Sequence, residues 1–367
     1  MLIYRDTENL TISLTKKVAS LLGMRTALGF SRGSAGLYAL LSAIARQQGP
    51  GEVIIPTLCC ETVALAAIFA GHSVRFADVS PLTLCVTPQT VEALISVHTR
   101  AVVVVHLYGI DAQAGRFNAL RFRNPGIAFI EDIAHAFGGY GEDGRLLGAS
   151  LDYTLASFAD SKIVPGEGGM LLFGAGGLPP ASVSSEFLSD IPRVAKPRLA
   201  LSLRNLVHAL ADLWREEGGR RGPLIFPEML DRYKSLIVAP GNIANQDAVF
   251  DALEKLPENR EARYKKYLLY RDGILSKGVT VPCLHGGSTC WRCPVVFESA
   301  SAASAVTESL RAMGIPASNH YFPLNVLFGS PGCPDGEYVA LRIVNLWVDE
   351  SMPSDTIQKT VDIINRI

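Results

Sequence analysis

The chain has 367 residues, 48% hydrophobic and 19% charged, with a formal net charge of −1. Its mean hydropathy of +0.23 indicates a large buried core and excludes a disordered chain. So even a charge balance creates no overall field that would recruit nucleic acid or an anionic membrane, and the length corresponds to about two domains.

The opening residues, MLIYRDTENLTISLTKK, are too polar for a signal peptide. Residues 10–22 have helical periodicity and are expected to form an N-terminal arm. The segment 33–46 reads as a helix with apolar residues on several faces, the pattern of a buried helix. Segments 53–55, 74–76, 101–105, 128–130 and 153–156 read as short buried strands, with helical stretches between the first four. Such alternation implies an α/β fold with a mainly parallel sheet covered on both faces. A charged helix or helix pair over 246–276 is expected to lead into a smaller α+β domain. That domain would hold strands at 294–297 and 341–344, a helix at 300–313 and a last helix from 354. The expected division is a large domain over 1–245 and a small one over 246–367. No apolar run reaches the ~18 residues of a spanning helix. Seven cysteines at irregular spacing do not suggest a disulfide framework, so a cytoplasmic protein with free thiols is expected.

Two stretches carry the chemistry. In YTLASFADSKIVPGEGGMLL (153–172), Lys162 lies between a short apolar strand and the turn Gly166-Glu167-Gly168-Gly169, with Ser157 five residues before it. A lysine at a strand end in apolar surroundings loses its proton readily and attacks carbonyls, the behaviour of a Schiff-base lysine; taken alone it also reads as a solvated surface lysine. In FIEDIAHAFGG, Asp132 stands where open α/β sheets place their ligands, just outside the carboxyl ends of the strands. A carboxylate there keeps a pyridinium nitrogen protonated, although an isolated aspartate also serves as a helix N-cap. His135 is placed to bond the same ring. Together the stretches favour a pyridoxal phosphate site. Arg32-Gly33-Ser34 opens a helix whose free N–H groups suit an anion, or which Ser31 or Ser34 simply caps.

At this point the residues resemble a known family. SRGSAGLYALLSAI, GEVIIPTLCCETVALAAIFAGHSVRFADV, VVVVHLYGIDA, FIEDIAHAFGG, SFADSKIVPGEGG, GIPASNHYFPL and LRIVNLWV are similar, in order and spacing, to the DegT/DnrJ-type sugar aminotransferases, a branch of the fold type I pyridoxal phosphate enzymes. The resemblance implies a three-layer fold type I architecture. It implies catalytic roles for Lys162 and Asp132 and a phosphate seat made by Gly33, Ser34 and Ser157. Asn242 would reach the phosphate of a neighbouring subunit, and His320 and Tyr321 would line the substrate pocket. It further implies a homodimer with the site at its interface, an amino donor (L-glutamate) and a keto acceptor, a nucleotide-linked keto-sugar or a keto-cyclitol. A transaminase of a non-sugar ketone, a pyridoxal phosphate eliminating enzyme and a non-catalytic cofactor-binding regulator would share these cofactor residues.

The chain departs from the family in places. Cys60 stands where the family places an aromatic residue that stacks on the cofactor ring; a thiol offers a small polarizable face instead, or simple packing. Asp160 and Ser161 precede Lys162 where the family often has an aromatic or histidine followed by Pro-Thr. The block 176–238 reads as an insertion. Within it, Leu199, Leu203, Leu206, Leu210 and Leu213, with Val207 and Trp214 alongside, form an amphipathic stripe in basic surroundings. That helix would pack on the body or a subunit interface, or, through 193–221, meet a phosphate-bearing substrate, a carrier protein or an anionic lipid surface. Cys283, His285, Cys290 and Cys293 have the composition of a zinc cluster but irregular spacing, so no metal is expected.

Overall fold

A computed structural model of the chain describes residues 13–178, 180–183, 197–219, 233–330 and 332–367. Runs of Val, Ile and Phe that fill both faces of a strand leave no solvent side, so they stack as neighbours beneath helices. The elements of the first half follow that logic. A helix α1 over 13–21 precedes β1 (Thr26–Phe30), α2 (Gly33–Gln48), β2 (Glu52–Pro56), α3 (Glu61–Phe69), β3 (Ser73–Ala77) and α4 (Pro88–Glu92). Then come β4 (Thr99–Val105), α5 (Asn118–Arg123), β5 (Ala128–Asp132), β6 (Tyr153–Ser157) and β7 (Gly169–Phe173). These strands form one seven-stranded sheet in the order β1-β7-β6-β5-β4-β2-β3. Strands β3, β2, β4, β5 and β6 pair in parallel. Strand β7 runs antiparallel between β6 and β1.

Neither β1 nor β7 was expected. Each is a five-residue strand containing glycine, which weakens the propensity signal. The antiparallel β7 lets the chain turn directly back from the lysine loop to the sheet, since a parallel pairing would need a full crossover.

The second half contains α6 (Pro197–Glu216), α7 (Lys234–Ile237), α8 (Gln246–Glu254) and α9 (Leu256–Gly273), then β8 (Val279–Thr280), β9 (Cys293–Phe297), α10 (Ala300–Ala312) and β10 (Ala317–Ser318). It closes with α11 (Leu324–Leu327), α12 (Pro334–Arg342), β11 (Ile343–Leu346) and α13 (Ser354–Ile364). Its antiparallel sheet has the order β10-β11-β9-β8. The strand expected at 341–344 is displaced. Leu341 and Arg342 finish α12, and the strand starts only at Ile343. Leu341-Arg342-Ile343 alternates as a strand would, but its first two members complete an amphipathic helical turn. A continuous apolar cluster runs from the large sheet into the small one. A second cluster joins α1 to Phe137, Phe158 and Ile163 around the lysine loop.

Among the described residues of α6, Val207, Ala211 and Trp214 are buried, while Leu213 is 42% exposed. Val207 and Trp214, expected alongside the leucine stripe, thus face inward, Trp214 edge-on to Phe322 at 5.2 Å between ring centroids, whereas Leu213 at the end of the stripe does not. The side chains of Leu199 and Leu203, and those of Arg193, Lys196, Arg198, Arg204, Arg220 and Arg221, lie outside the described residues.

Candidate active site

Strand alternation sends Glu131 and Asp132, the last two residues of β5, to opposite faces of the sheet. Glu131 is fully buried and accepts from Gly148 N–H (2.5 Å) and Ser150 N–H (3.0 Å). It also lies 3.0 Å from His106 Nε2. The Ala112 N–H donates to Nδ1 of that ring, so Nε2 carries the proton and donates to Glu131. His106 is therefore a satisfied core histidine. Asp132, on the other face, is 5% exposed and accepts 2.8 Å from Ala134 N–H. Burial raises its pKa, against the Ala134 bond and the charge of Lys162. A buried carboxylate of this kind gains from a cationic partner.

Lys162 lies on the loop that follows β6, the parallel neighbour of β5. The loop is cross-braced by Phe158 N–H to Gly168 O, Gly166 N–H to Phe158 O and Lys162 N–H to Ala159 O, all at 2.8 Å. Burial lowers the Lys162 pKa, which Cys60 and Asp132 partly restore. A lysine so tuned is a better nucleophile at neutral pH than a surface one. Its Nζ stands 4.9 Å from the centre of the Trp291 ring.

That indole stacks on His135 with centroids 3.8 Å apart and planes 7° from parallel. The Tyr108 N–H donates to His135 Nδ1 (3.3 Å), which leaves the ring proton on Nε2, 3.1 Å from the Tyr321 hydroxyl. Burial holds the His135 pKa well below the ordinary value, helped by the charges of Lys162, Arg292 and His320. His135 is thus neutral and is locked as a donor through Nε2.

The phosphate end is built by backbone approach. Helix α2 begins at Gly33 after Arg32, with no side-chain cap on its first N–H groups. A Cβ at Gly33 would stand 3.3 Å from Ala156 O and 3.4 Å from Ser157 Cβ. The helix start and Ser157 therefore border one space, an arrangement that receives an oxyanion. A Cβ at Gly169 would strike the backbone of Arg32 and Gly33. Ser34 Oγ donates to Ile237 O at 2.5 Å, so its hydroxyl proton is committed and its contribution to a phosphate falls to the backbone N–H. The donor set fits pyridoxal phosphate, with an uncapped helix start and a hydroxyl at one end and a buried carboxylate and a lysine at the other.

The remaining expected residues fall as follows. Cys60 precedes α3, half-buried, with Sγ 3.1 Å from Thr62 Oγ1. Burial and Glu61 push its thiol up to about 12, so it stays protonated and unreactive. Asn242 is exposed, accepts from Ile243 N–H at 2.8 Å and lies against Gly29 of its own chain. Tyr321 reaches His135, whereas His320 faces His208 of α6 with ring centroids 5.3 Å apart. Tyr108 OH donates to His320 O (2.7 Å), and Arg215 of α6 donates to Asn319 O. The inserted helix thus braces the segment that carries both residues. Cys290 and Cys293 are buried, and Cys283 is exposed.

Tyr108, Trp291 and Arg292 were missed. Trp291 and Arg292 sit between Cys290 and Cys293, where the thiols suggest metal ligation and hide the aromatic–basic pair. Tyr108 follows the apolar run of β4 and reads as core.

Solved structures share this fold. The chain superposes on DesI with its TDP-sugar product over 98% of its own length and 84% of that protein's (TM-score 0.72, 23% identity). It superposes on Helicobacter pylori PseC, an aminotransferase of pseudoaminic acid biosynthesis, over 97% and 90% (TM-score 0.75, 17% identity). The chain shares the three-dimensional fold of these proteins. Residues 7–178 match the DegT/DnrJ/EryC1/StrS aminotransferase family. A stretch of 170 residues is 35% identical to L-glutamine:2-deoxy-scyllo-inosose aminotransferase of Streptomyces fradiae, covering 46% of this chain and 39% of the relative. A stretch of 163 residues is 34% identical to a UDP-N-acetyl-3-dehydro-alpha-D-glucosamine 3-aminotransferase of Acidithiobacillus ferrooxidans, covering 44% and 43%. The matches span less than half of either relative.

Proposed function

We propose that the chain is a pyridoxal phosphate-dependent aminotransferase that moves an amino group from an amino acid, L-glutamate or its amide, to a cyclic keto acceptor, a nucleotide-linked keto-sugar, in amino-sugar biosynthesis. The observation that carries this reading is the pairing of a half-buried lysine, on the loop after one strand, with a buried aspartate ending the neighbouring parallel strand, next to an uncapped helix start. The named relatives, which act on an inosose and on a UDP-linked dehydro-sugar, support the acceptor class.

Gly33, Ser34 and Ser157 would hold the phosphate, Asp132 the ring nitrogen, and Lys162 the aldehyde carbon. Bound there, the cofactor supplies an electron sink and a carrier for the amino group. With the donor bound, Lys162 would withdraw the donor's α-proton as general base and return it as general acid. Its lowered pKa suits both roles. His135, neutral, offers one N–H through Nε2, and Cys60 borders the ring without stacking on it. His320 and Tyr321 line the acceptor side. Asn242 completes the phosphate seat of a partner subunit in a homodimer. The division into a cofactor domain, 1–245, and a small domain, 246–367, is part of the same reading. So is a cytoplasmic location, with which the lack of any helix long and apolar enough to cross a membrane among the described residues is compatible.

The test is the visible spectrum of the purified protein titrated with L-glutamate and L-glutamine. The reading expects a cofactor band that either donor converts and that Lys162→Ala abolishes. A band indifferent to both donors, or no cofactor uptake at all, would overturn it.

A further inference from the structure

Two cations border one indole: Lys162 Nζ stands 4.9 Å and Arg292 Cζ 4.6 Å from the centre of the Trp291 ring. The Arg292 guanidinium also lies 4.3 Å from the centre of Trp347, so two aromatic rings fix its orientation. Its Nη1 donates to Trp291 O (2.8 Å) and Asp349 Oδ2 (3.0 Å). Nε and Nη2 donate to no group among the described residues. Those two atoms form one of the parallel edges on which a guanidinium receives a carboxylate with two hydrogen bonds.

The local charge balance points the same way. Arg263, 8% exposed, donates to Asn259 Oδ1 and Trp291 O but forms no ion pair among the described residues. Arg292, 7% exposed, has Asp349 alone. Two buried guanidinium groups thus meet one carboxylate in direct contact, and buried charge without a counter-ion is costly. A ligand carrying a carboxylate beside its amine would restore the balance as its nitrogen reached Lys162. Besides burial, the charge of Arg263 lowers the pKa of Arg292, and Arg292 in turn lowers that of Lys162.

We infer that Arg292 is a donor-binding residue that receives the α-carboxylate of the amino donor on its Nε–Nη2 edge. The inference rests on the transaminase reading and deepens it. Asp349 and the two indoles act as positioning residues, holding the guanidinium so that this edge stays open.

The experiment titrates the cofactor band of the holoenzyme with L-glutamate for wild type, Arg292→Gln and Arg292→Lys. It is paired with calorimetric binding of glutarate, an amine-free dicarboxylate, to the cofactor-free proteins. The expected result is a rise of about 10- to 100-fold in half-saturating donor for Arg292→Gln. Arg292→Lys should fall between it and wild type, glutarate binding should weaken in parallel, and the acceptor KM should be unchanged. The donor analogue 4-aminobutyrate, which lacks the α-carboxylate, should not distinguish Arg292→Gln from wild type. Unchanged donor saturation in both variants overturns the assignment while leaving the transaminase reading intact. A loss confined to the acceptor KM also overturns it, because the anion would then be the acceptor's phosphate. A wild-type band that no amino acid converts defeats the transaminase reading, and Arg292 with it. If Arg292→Gln fails to take up cofactor, the Arg292→Lys titration decides alone.

Discussion

Lys162 and His135 both titrate below their ordinary values in the site, and both shifts make predictions. A lowered Lys162 pKa means that the neutral, nucleophilic amine dominates at a lower pH than in free lysine. Capture of pyridoxal phosphate by the cofactor-free protein should therefore accelerate as pH rises and level off below the ordinary lysine pKa. Stopped-flow absorbance against pH measures this, and a rate still climbing at the ordinary value would contradict the buried placement. For His135 the folded pKa is depressed below that of the unfolded chain, so the unfolded chain binds the proton first. Stability should be full above about pH 6.5 and fall as pH drops from there toward the folded value. Replacing the ring with an amide, His135→Gln, should flatten that part of the Tm-against-pH curve by removing the group that titrates. Both residues were visible in the sequence because each follows a short apolar strand at a set interval. Trp291 and Arg292 were not, since nothing local records that a loop some 130 residues beyond Lys162 folds over its amine. Their contacts, His135 and Lys162, are long-range.

At the scale of elements, the junction of α2 with β6 and β7 is closely packed. Gly33→Ala places a methyl at ordinary-to-tight distance from Ala156 O and Ser157 Cβ. It should cost ~1 kcal/mol of stability while weakening cofactor uptake, because the new methyl intrudes on the phosphate space. Gly169→Ala, by contrast, collides with backbone that has no room to yield. Its Tm should fall further than that of Gly33→Ala, as differential scanning calorimetry of the pair would show. The parallel strands were legible in the sequence because burial on both faces leaves an uninterrupted apolar signature. The edge pair β1–β7 was not, because five residues with a glycine carry little signal until they find each other. The inserted helix was legible as a helix with Val207 and Trp214 on its apolar side. Leucine spacing describes an isolated helix, however, and Leu213 at the end of the stripe stays exposed. Arg215→Met should loosen the 319–321 segment that Arg215 holds by Asn319 O. Acceptor KM should rise with little change in donor saturation, and equal effects on both substrates would argue against this bracing role.

For the whole molecule, the proposed homodimer follows from assigning Asn242 to a partner's phosphate. In one chain that side chain is exposed and turned toward its own backbone. Sedimentation equilibrium should give twice the 39.5 kDa chain mass, and Asn242→Ala should reduce cofactor retention in the dimer. A monomer that retains cofactor fully would remove Asn242 from the site.

The antiparallel strand β7 also bears on how the protein acquires its cofactor. Gly169 abuts the start of α2, and the phosphate seat joins Gly33 and Ser34 to Ser157, segments more than 120 residues apart in the chain. Closing so long a loop is entropically slow, and contacts of such sequence separation form late. A nascent chain that has finished α2, or even β5, still has no seat. During refolding in the presence of pyridoxal phosphate, the cofactor band should lag the recovery of far-ultraviolet helical signal. Newly made enzyme would then pass through an obligate interval in which it is largely folded yet unable to hold the vitamin-derived group.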